Sequence, residues 1–478
     1  MSESLKNKTV KGTIWSSLER FSVQGIQFVV MIIMARILTP ADYGLVGMLA
    51  IFIAVSQSLI DSGFSQALIR KQDRSEIDNS TVFYFNIGVG IILYLVLFLS
   101  APLIADFYNE PQLIPITRVV GLSLVFNSLS IVQRALLTVT LDFKTQAKAS
   151  FVGAILSGAI GISMAYTGYG VWAIVWQQIS NLATVTILLW ILSHWKPIWA
   201  YSWKSFRDLF GFGSKLLASG LLDTIFRNLY LIVIGKFFKA SDLGYYTRAH
   251  QFTDFASSNI TGIFMRVAYP VLASIQTDDK RLSNVYRRLL RTSAFIIFPL
   301  MMILAAVARP LILSFLTKEW LFSATLIQIL CLSQMWYPIH GINLNLLQVK
   351  GRSDLFLKLE ILKKIITVIN LCITLPLGLI PMCIGMIVTS IIALVINTYY
   401  TEKLIHLGFF KQMKDLLPTL LLSLATGAIV YLTVIYIPMK SWIALTLGIL
   451  EGILLYVGLA KILKFSEFNE LLSIMQRK

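Results

Sequence analysis

The stretch ARILTPADYGL (Ala35–Leu45) returns two hundred residues further on as GKFFKASDLGY (Gly235–Tyr245). Arg36 answers to Lys236, Asp42 to Asp242 and Gly44 to Gly244, so a basic, an acidic and a glycine position coincide at one offset. Any corner between helices asks for a cap and a glycine, which makes chance similarity the competing reading. Position weighs against chance, because each segment stands at the far end of a long apolar stretch, the first and the seventh of the chain. Two six-helix units repeated in parallel about an axis along the membrane normal would put them there.

The apolar stretches set the class. A helix needs about twenty consecutive apolar residues to span a bilayer, and the chain offers roughly fourteen such runs. Helices are expected near 11–37, 44–69, 78–105, 112–139, 146–167, 170–193, 206–235, 243–275, 289–316, 321–349, 355–379, 381–404, 415–437 and 441–463. With 56% hydrophobic and 14% charged residues, and a mean hydropathy of +0.75, no large soluble domain fits in the remainder. The expected fold is an all-α integral membrane protein of about 14 transmembrane helices. One six-helix bundle occupies 1–205 and a second 206–410, related by a pseudo-two-fold axis along the membrane normal; 411–478 adds two helices and a cytoplasmic tail.

The net charge of +17 would suggest nucleic acid in a soluble chain, but here its placement speaks for membrane topology and no nucleic-acid partner is expected. If the N-terminus is cytoplasmic, the ends and even-numbered loops hold 26 basic residues, among them Lys71, Lys144, Lys204, Arg287, Lys350, Lys411 and Lys461. The opposite loops hold 4, Lys236, Lys239, Lys318 and Lys440, which places both termini inside. The N-terminal MSESLKNKTVKG leads directly into a segment longer than a signal-peptide core, so the first helix is expected to be retained. Cys331, Cys372 and Cys383 fall in apolar stretches without metal-binding spacing and read as packing residues.

ARILTPADYG, DSGFSQALIRK (Asp61–Lys71), TLDFKTQA (Thr140–Ala147), GYGVWAIVWQQ (Gly168–Gln178) and LGYYTRAHQF (Leu243–Phe252), in that order, resemble the Wzx-type polysaccharide transporters. These are the oligosaccharide flippases of the MOP superfamily, and the resemblance covers nearly the whole chain. It implies a MATE-like arrangement that moves undecaprenyl-diphosphate-linked oligosaccharide repeat units across a bacterial inner membrane by alternating access. O-antigen, capsule or exopolysaccharide assembly would be served, with a polysaccharide polymerase and a chain-length regulator as candidate partners.

The charges inside the stretches suit such a cargo on their own account. A polyprenyl-diphosphate sugar has an anionic, hydrated head, and a cation at bilayer depth persists mainly where it faces water or a partner. The substrate-binding candidates are Arg20 in the first helix, Arg134 in the fourth, Lys215 and Arg227 in the seventh, and Arg248 and Arg266 in the eighth. Arg248 and Arg266 are 18 residues apart, which returns to one helix face some way along, roughly 27 Å. They are hypothesised to handle the diphosphate at opposite ends of its path. Blander readings stand beside these. Arg227 follows Asp223 by four residues and can pair with it; Arg36, Arg118 and Arg309 can snorkel from outer helix ends; Lys363 and Lys364 belong with Glu360 to the cytoplasmic interface.

Carboxylates inside the stretches can bind a proton or Na⁺, and Glu19, Asp61, Asp223, Asp254 and Glu451 qualify. Asp61 and Asp223, with Glu19, are the coupling candidates for a proton or sodium gradient; structural ion pairing is the competing account. No cofactor or metal is expected. Pro338, Gly341, Asn343 and Asn345 should interrupt the tenth helix around His340, itself read as a packed, hydrogen-bonded residue. Trp172, Trp176, Trp195, Trp199 and Trp203 read as interfacial anchors, with stacking on sugars as the alternative.

Membrane-bound polymerases and glycosyltransferases share this hydropathy, but they present acid and base groups in substantial loops, and the outer loops here are only a few residues long. Asp278 and Asp279 in TDDKR read as a solvated turn, and no phosphate-cradling glycine loop is present. A drug antiporter would favour acidic over basic residues in its cavity. Lipid II flipping is the nearest alternative.

Overall fold

The computed structural model describes residues 3–476; the side chains of residues 3–14, 16, 17, 20, 215, 216 and 474–476 lie outside the described set. By packing, the chain divides into two compact units, Met1–Gly244 and Tyr245–Lys478, and no strand occurs among the described residues.

Unit one contains α1 (Glu3–Ala35), α2 (Pro40–Asp61), α3 (Phe64–Arg70), α4 (Glu76–Tyr108), α5 (Leu113–Val120), α6 (Leu122–Val139), α7 (Phe143–Tyr166), α8 (Val171–Leu192), α9 (Trp203–Arg227), α10 (Leu229–Phe237) and the first residues of α11 (Ala240–Ser274). Unit two holds the rest of α11 and α12 (Asp279–Ala306), α13 (Ala308–Phe315), α14 (Leu321–Gln334), α15 (Tyr337–Val349), α16 (Ser353–Thr374), α17 (Leu379–Ile405), α18 (Phe409–Tyr436), α19 (Ser441–Ile462) and α20 (Ser466–Gln476).

Helix occupies each of the fourteen expected stretches, but among the described residues nine spans are long and apolar enough to cross a membrane, or ten if the bent α9 counts. The shortfall has physical causes. α11 and α16 carry charges along their length and α14 and α15 are each short, while the apolar stretch of α1 within the described residues is Phe21–Ala35. The tenth helix does break, though one turn before His340: the gap is Met335–Trp336, and Pro338 sits in the first turn of α15. A missing N–H costs nothing at that position, so His340 lies in regular helix. Cys331 and Cys383 are buried and Cys372 is exposed, so packing accounts for only two of the three cysteines.

The repeated segments meet backbone to backbone in unit one. Thr39 caps α2, and its N–H donates to the Asp42 carboxylate at 2.9 Å; the Lys239 N–H donates to Asp242 at 3.2 Å in the same position of α11. Four residues into each helix stand the paired glycines. A Cβ on Gly44 would lie 1.7 Å from the Ala240 carbonyl oxygen, and one on Gly244 would lie 1.9 Å from that of Pro40. The contact is reciprocal: each helix start rests on the other's glycine, the pattern a local two-fold produces. Small residues work the same way on α7, where Gly158 faces Val30 of α1 and Gly153 faces Val185 of α8.

In unit two the Gln412 amide of α18 sits among α12, α15, α17 and the loop after α17. The two protons on its nitrogen are shared among Asn343 Oδ1 at 3.2 Å, Thr401 Oγ1 at 3.1 Å, the Leu407 carbonyl at 3.0 Å and the Tyr286 hydroxyl at 3.5 Å. α20, where only a tail was expected, packs Phe468 and Leu471 against Phe295, Leu422 and Tyr456. Its Glu467 and Glu470 pair with Arg291 and Arg288 of α12.

Gly44→Ala and Gly244→Ala are each expected to cost about 1–3 kcal/mol by overpacking and to lower the thermal midpoint in detergent. Gly88→Ala, which meets open space, should leave it unchanged; equal midpoints for all three variants would refute the contact.

Candidate functional site

Asp61 closes α2 at a sharp turn in unit one. Ser62 and Gly63 take left-handed conformations (φ 45° and 72°), and a Cβ on Gly63 would lie 2.7 Å from the Gly213 carbonyl oxygen on α9. Glycine at 63 and at 213 lets the turn touch α9. The Asp61 carboxylate accepts from the Ser65 N–H at 3.3 Å and from the Ser65 hydroxyl, which fixes it over the start of α3. At the other end of α3, Arg70 lays its guanidinium over the Phe212 ring of α9, 4.5 Å from the centroid.

Asp61 and Arg70 line one cavity of about 620 Å³, together with Ser58, Gln66 and Gly220. On the α9 side the Thr224 hydroxyl lies 3.2 Å from that of Ser58. A cavity with a carboxylate and a guanidinium on its wall can hold an anionic group at one and a proton or cation at the other. Asp223 is already matched: it pairs with Arg227 at 2.8 Å across one helical turn, both side chains more than half exposed.

A second cluster ties α1, α6 and α7. Half-buried Arg134 lies in the field of Glu19, whose carboxylate accepts from the Ser150 hydroxyl at 2.7 Å. The Arg134 carbonyl accepts from Thr138 at 2.8 Å and from the Gln146 amide at 3.3 Å, so side chain and backbone both link α6 to its neighbours. The Arg20 and Lys215 side chains fall outside the described residues.

In unit two Arg248 and Arg266 share the unbroken α11, as their spacing requires, but their surroundings differ. Arg248 is 5% exposed, donates to Gln251 Oε1 at 2.5 Å and lies 5.9 Å from the centre of the Trp320 ring. Arg266 is exposed and joins no ion pair among the described residues. His340 is held by Ser390 at 3.0 Å and Asn397 at 3.3 Å, and Glu451 accepts from Thr433 at 2.9 Å. Trp195 donates to Glu76 at 2.7 Å while Trp199 is 97% exposed and stacks on Tyr84. No cluster of three or more His, Cys, Asp or Glu that could hold a metal occurs among the described residues.

Within unit one, Asp61 faces a cavity, Asp223 pairs with Arg227 and Arg134 lies in the field of Glu19; within unit two, Arg248 is packed. Sequence reasoning missed Ser58, Gln66 and Arg70 as cavity residues. Arg70 was absorbed into a cytoplasmic cluster by its neighbours Lys71 and Arg74; the signal for it was its place one short helix after the Asp61 turn.

The family described as polysaccharide biosynthesis protein matches residues 33–325. Teichuronic acid biosynthesis protein TuaB of Bacillus subtilis (strain 168) is 25% identical over 463 residues, 95% of this chain and 96% of that protein. Lipopolysaccharide biosynthesis protein WzxC of Escherichia coli (strain K12) is 25% identical over 443 residues, 89% of each chain. Succinoglycan biosynthesis transport protein ExoT of Rhizobium meliloti (strain 1021) is 24% identical over 335 residues, 70% of this chain and 68% of that one. In fold, the chain is similar to the lipid II flippase MurJ in an inward closed conformation, with a TM-score of 0.77 over 96% of this chain and all of that one, at 18% identity.

Glu19→Gln and Arg134→Gln are each expected to cost about 1–3 kcal/mol, since either leaves a partly buried charge unmatched. The double variant should cost less than the sum by about 0.5 kcal/mol or more; thermal unfolding of the four proteins measures this, and strict additivity would remove the pairing.

Proposed function

We infer, because the chain belongs to the polysaccharide biosynthesis protein family, that it is a flippase moving undecaprenyl-diphosphate-linked oligosaccharide repeat units across a bacterial inner membrane. The observation that carries this is the family match over residues 33–325, extended by relatives aligned along nearly the whole chain. The names of those relatives speak of cell-surface glycans, and one names transport. O-antigen, capsule or exopolysaccharide assembly is the setting, with a polysaccharide polymerase and a chain-length regulator downstream.

In this reading 1–205 and 206–410 are the six-helix repeats, 411–478 is an addition, and both termini are cytoplasmic, since 26 basic residues fall on that side against 4. Alternating access moves the diphosphate head past cations on both repeats, Arg20 and Arg134 on the first and Lys215, Arg227, Arg248 and Arg266 on the second, with Arg248 and Arg266 at opposite ends of the path. The head gains a charge-assisted contact at each step, and no bond is made or broken, so the chain acts as a transporter and not as an enzyme. Asp61 is the leading site for a coupling proton or sodium ion. Its carboxylate borders a cavity, whereas Asp223 is committed to Arg227. A basic interior disfavours a cationic drug as cargo. The likeness to the lipid II flippase supports a common fold and leaves the glycan open.

Deletion of the protein is expected to leave lipid-linked repeat units on the cytoplasmic leaflet; their normal appearance outside would end this reading. At equal protein levels, Arg266→Ala and Arg248→Ala should each lower export by roughly tenfold, the worth of one charged contact, and unchanged export in both removes the cation track. Asp61→Asn should abolish the dependence of flux on the proton or sodium gradient. Wild-type flux indifferent to both gradients would take the coupling role away.

A further inference from the structure

A second polar cavity lies in unit two, lined by none of the residues assigned above to cargo or ion coupling. It measures about 550 Å³ and is bounded by α13, α14, α18 and α19. Arg309, Thr325, Gln328, Tyr431 and Ser441 supply its polar wall; Leu313, Leu321, Val434 and Ile435 supply much of the rest. It contains no carboxylate. Arg309 is exposed to it and joins no ion pair among the described residues.

Its depth follows from α12. That helix begins among Arg281, Arg287, Arg288 and Arg291 and ends at Ala306, which lines the cavity. The cavity therefore sits at the opposite end of a membrane-length helix from the basic cluster. On the charge-based topology this is the outer leaflet, at headgroup level. A snorkelling arginine would need only water there, but Arg309 shares its cavity with three hydroxyls and an amide drawn from three other helices. Cation and hydroxyl donors together suit a phosphate, and the apolar wall beside them suits acyl chains.

We propose that this cavity binds the phosphate head of an outer-leaflet glycerophospholipid, with Arg309 as its charged contact. Thr325 and Gln328 lie three residues apart on one face of α14 and reach the same head. The lipid would wedge between α13–α14 and α18–α19, the two terminal spans that the six-helix repeat does not require. This inference rests on the membrane topology and not on which glycan is carried.

The test is native mass spectrometry of the full-length protein in detergent, titrated with phosphatidylglycerol. Wild type should show one saturable lipid, with Arg309→Gln weakening it roughly tenfold, the loss of one charged hydrogen bond. Thr325→Phe, which fills the cavity without altering charge, should weaken it as well and serves if Arg309→Gln does not fold. Lys318→Gln removes a nearby cation that does not line the cavity and should bind as wild type. No saturable site in wild type, full affinity in both cavity variants, or an equal loss in Lys318→Gln would each overturn the proposal. Lipid affinity is read apart from export, so failure of the flippase reading would leave this result standing.

Discussion

Backbone meets backbone where α2 and α11 begin, with Gly44 over Ala240 and Gly244 over Pro40. In lipid, helices gain no hydrophobic stabilisation from associating, so close packing and hydrogen bonds must hold them. A contact with no side chain between the helices is the tightest available. It also demands that both helices start at the same height, and the sequence provides for this twice: Asp42 and Asp242 each accept the N–H of the capping residue three places earlier. Lys236, one turn before the second cap, reaches back to the Phe107 carbonyl at the end of α4. The short corners between spans thereby become fixed points.

That much was legible beforehand, because a cap residue, an acid and a glycine at fixed spacing are local requirements that any copy of the corner must repeat. Helix placement was legible for the same reason, since apolar length is a local property. The breaks within helices were legible only in part. The tenth was expected to break around His340 and does so at Met335–Trp336, whereas those at Ser62–Gly63 and Asn228 were not expected, the first being set by the Gly63 backbone pressed against Gly213. The cavity lined by Asp61 and Arg70 was half legible: the carboxylate stood out in an apolar run, whereas the arginine was hidden among cations at a helix end.

Charge inside the helices looks different once surroundings are known. Arg227 pairs with Asp223 at an exposed position, whereas half-buried Arg134 lies in the field of Glu19 and buried Arg248 is shielded by Trp320 and Gln251. Removing a partner from such a charge costs more than the pair is worth, because the remaining ion keeps its desolvation penalty. On the proposed track, Arg134 and Arg248 would serve a moving anion only by exchanging partners, giving up a protein contact as the diphosphate arrives. Arg266, exposed and without an ion pair among the described residues, needs no such exchange. The two ends of α11 would then differ in kind, one a gated contact and the other an open one, although their spacing alone makes them look equivalent.

The cations at the start of α12 carry a similar double duty. Arg287, Arg288 and Arg291 at the start of α12 count towards orientation, yet each also holds a specific acid: Asp415 of α18 at 2.6 Å, Glu470 of α20 at 2.8 Å, and Glu467, which is 4% exposed. Orientation needs only the charge on the correct side, so lysine at any of these positions would satisfy it. The paired geometry asks for more. Arg287 grips Asp415 through both Nε and Nη2, at 2.7 and 2.6 Å, a fork that lysine cannot reproduce. Whatever part their charge plays in orientation, the same three residues anchor α18 and α20 against α12.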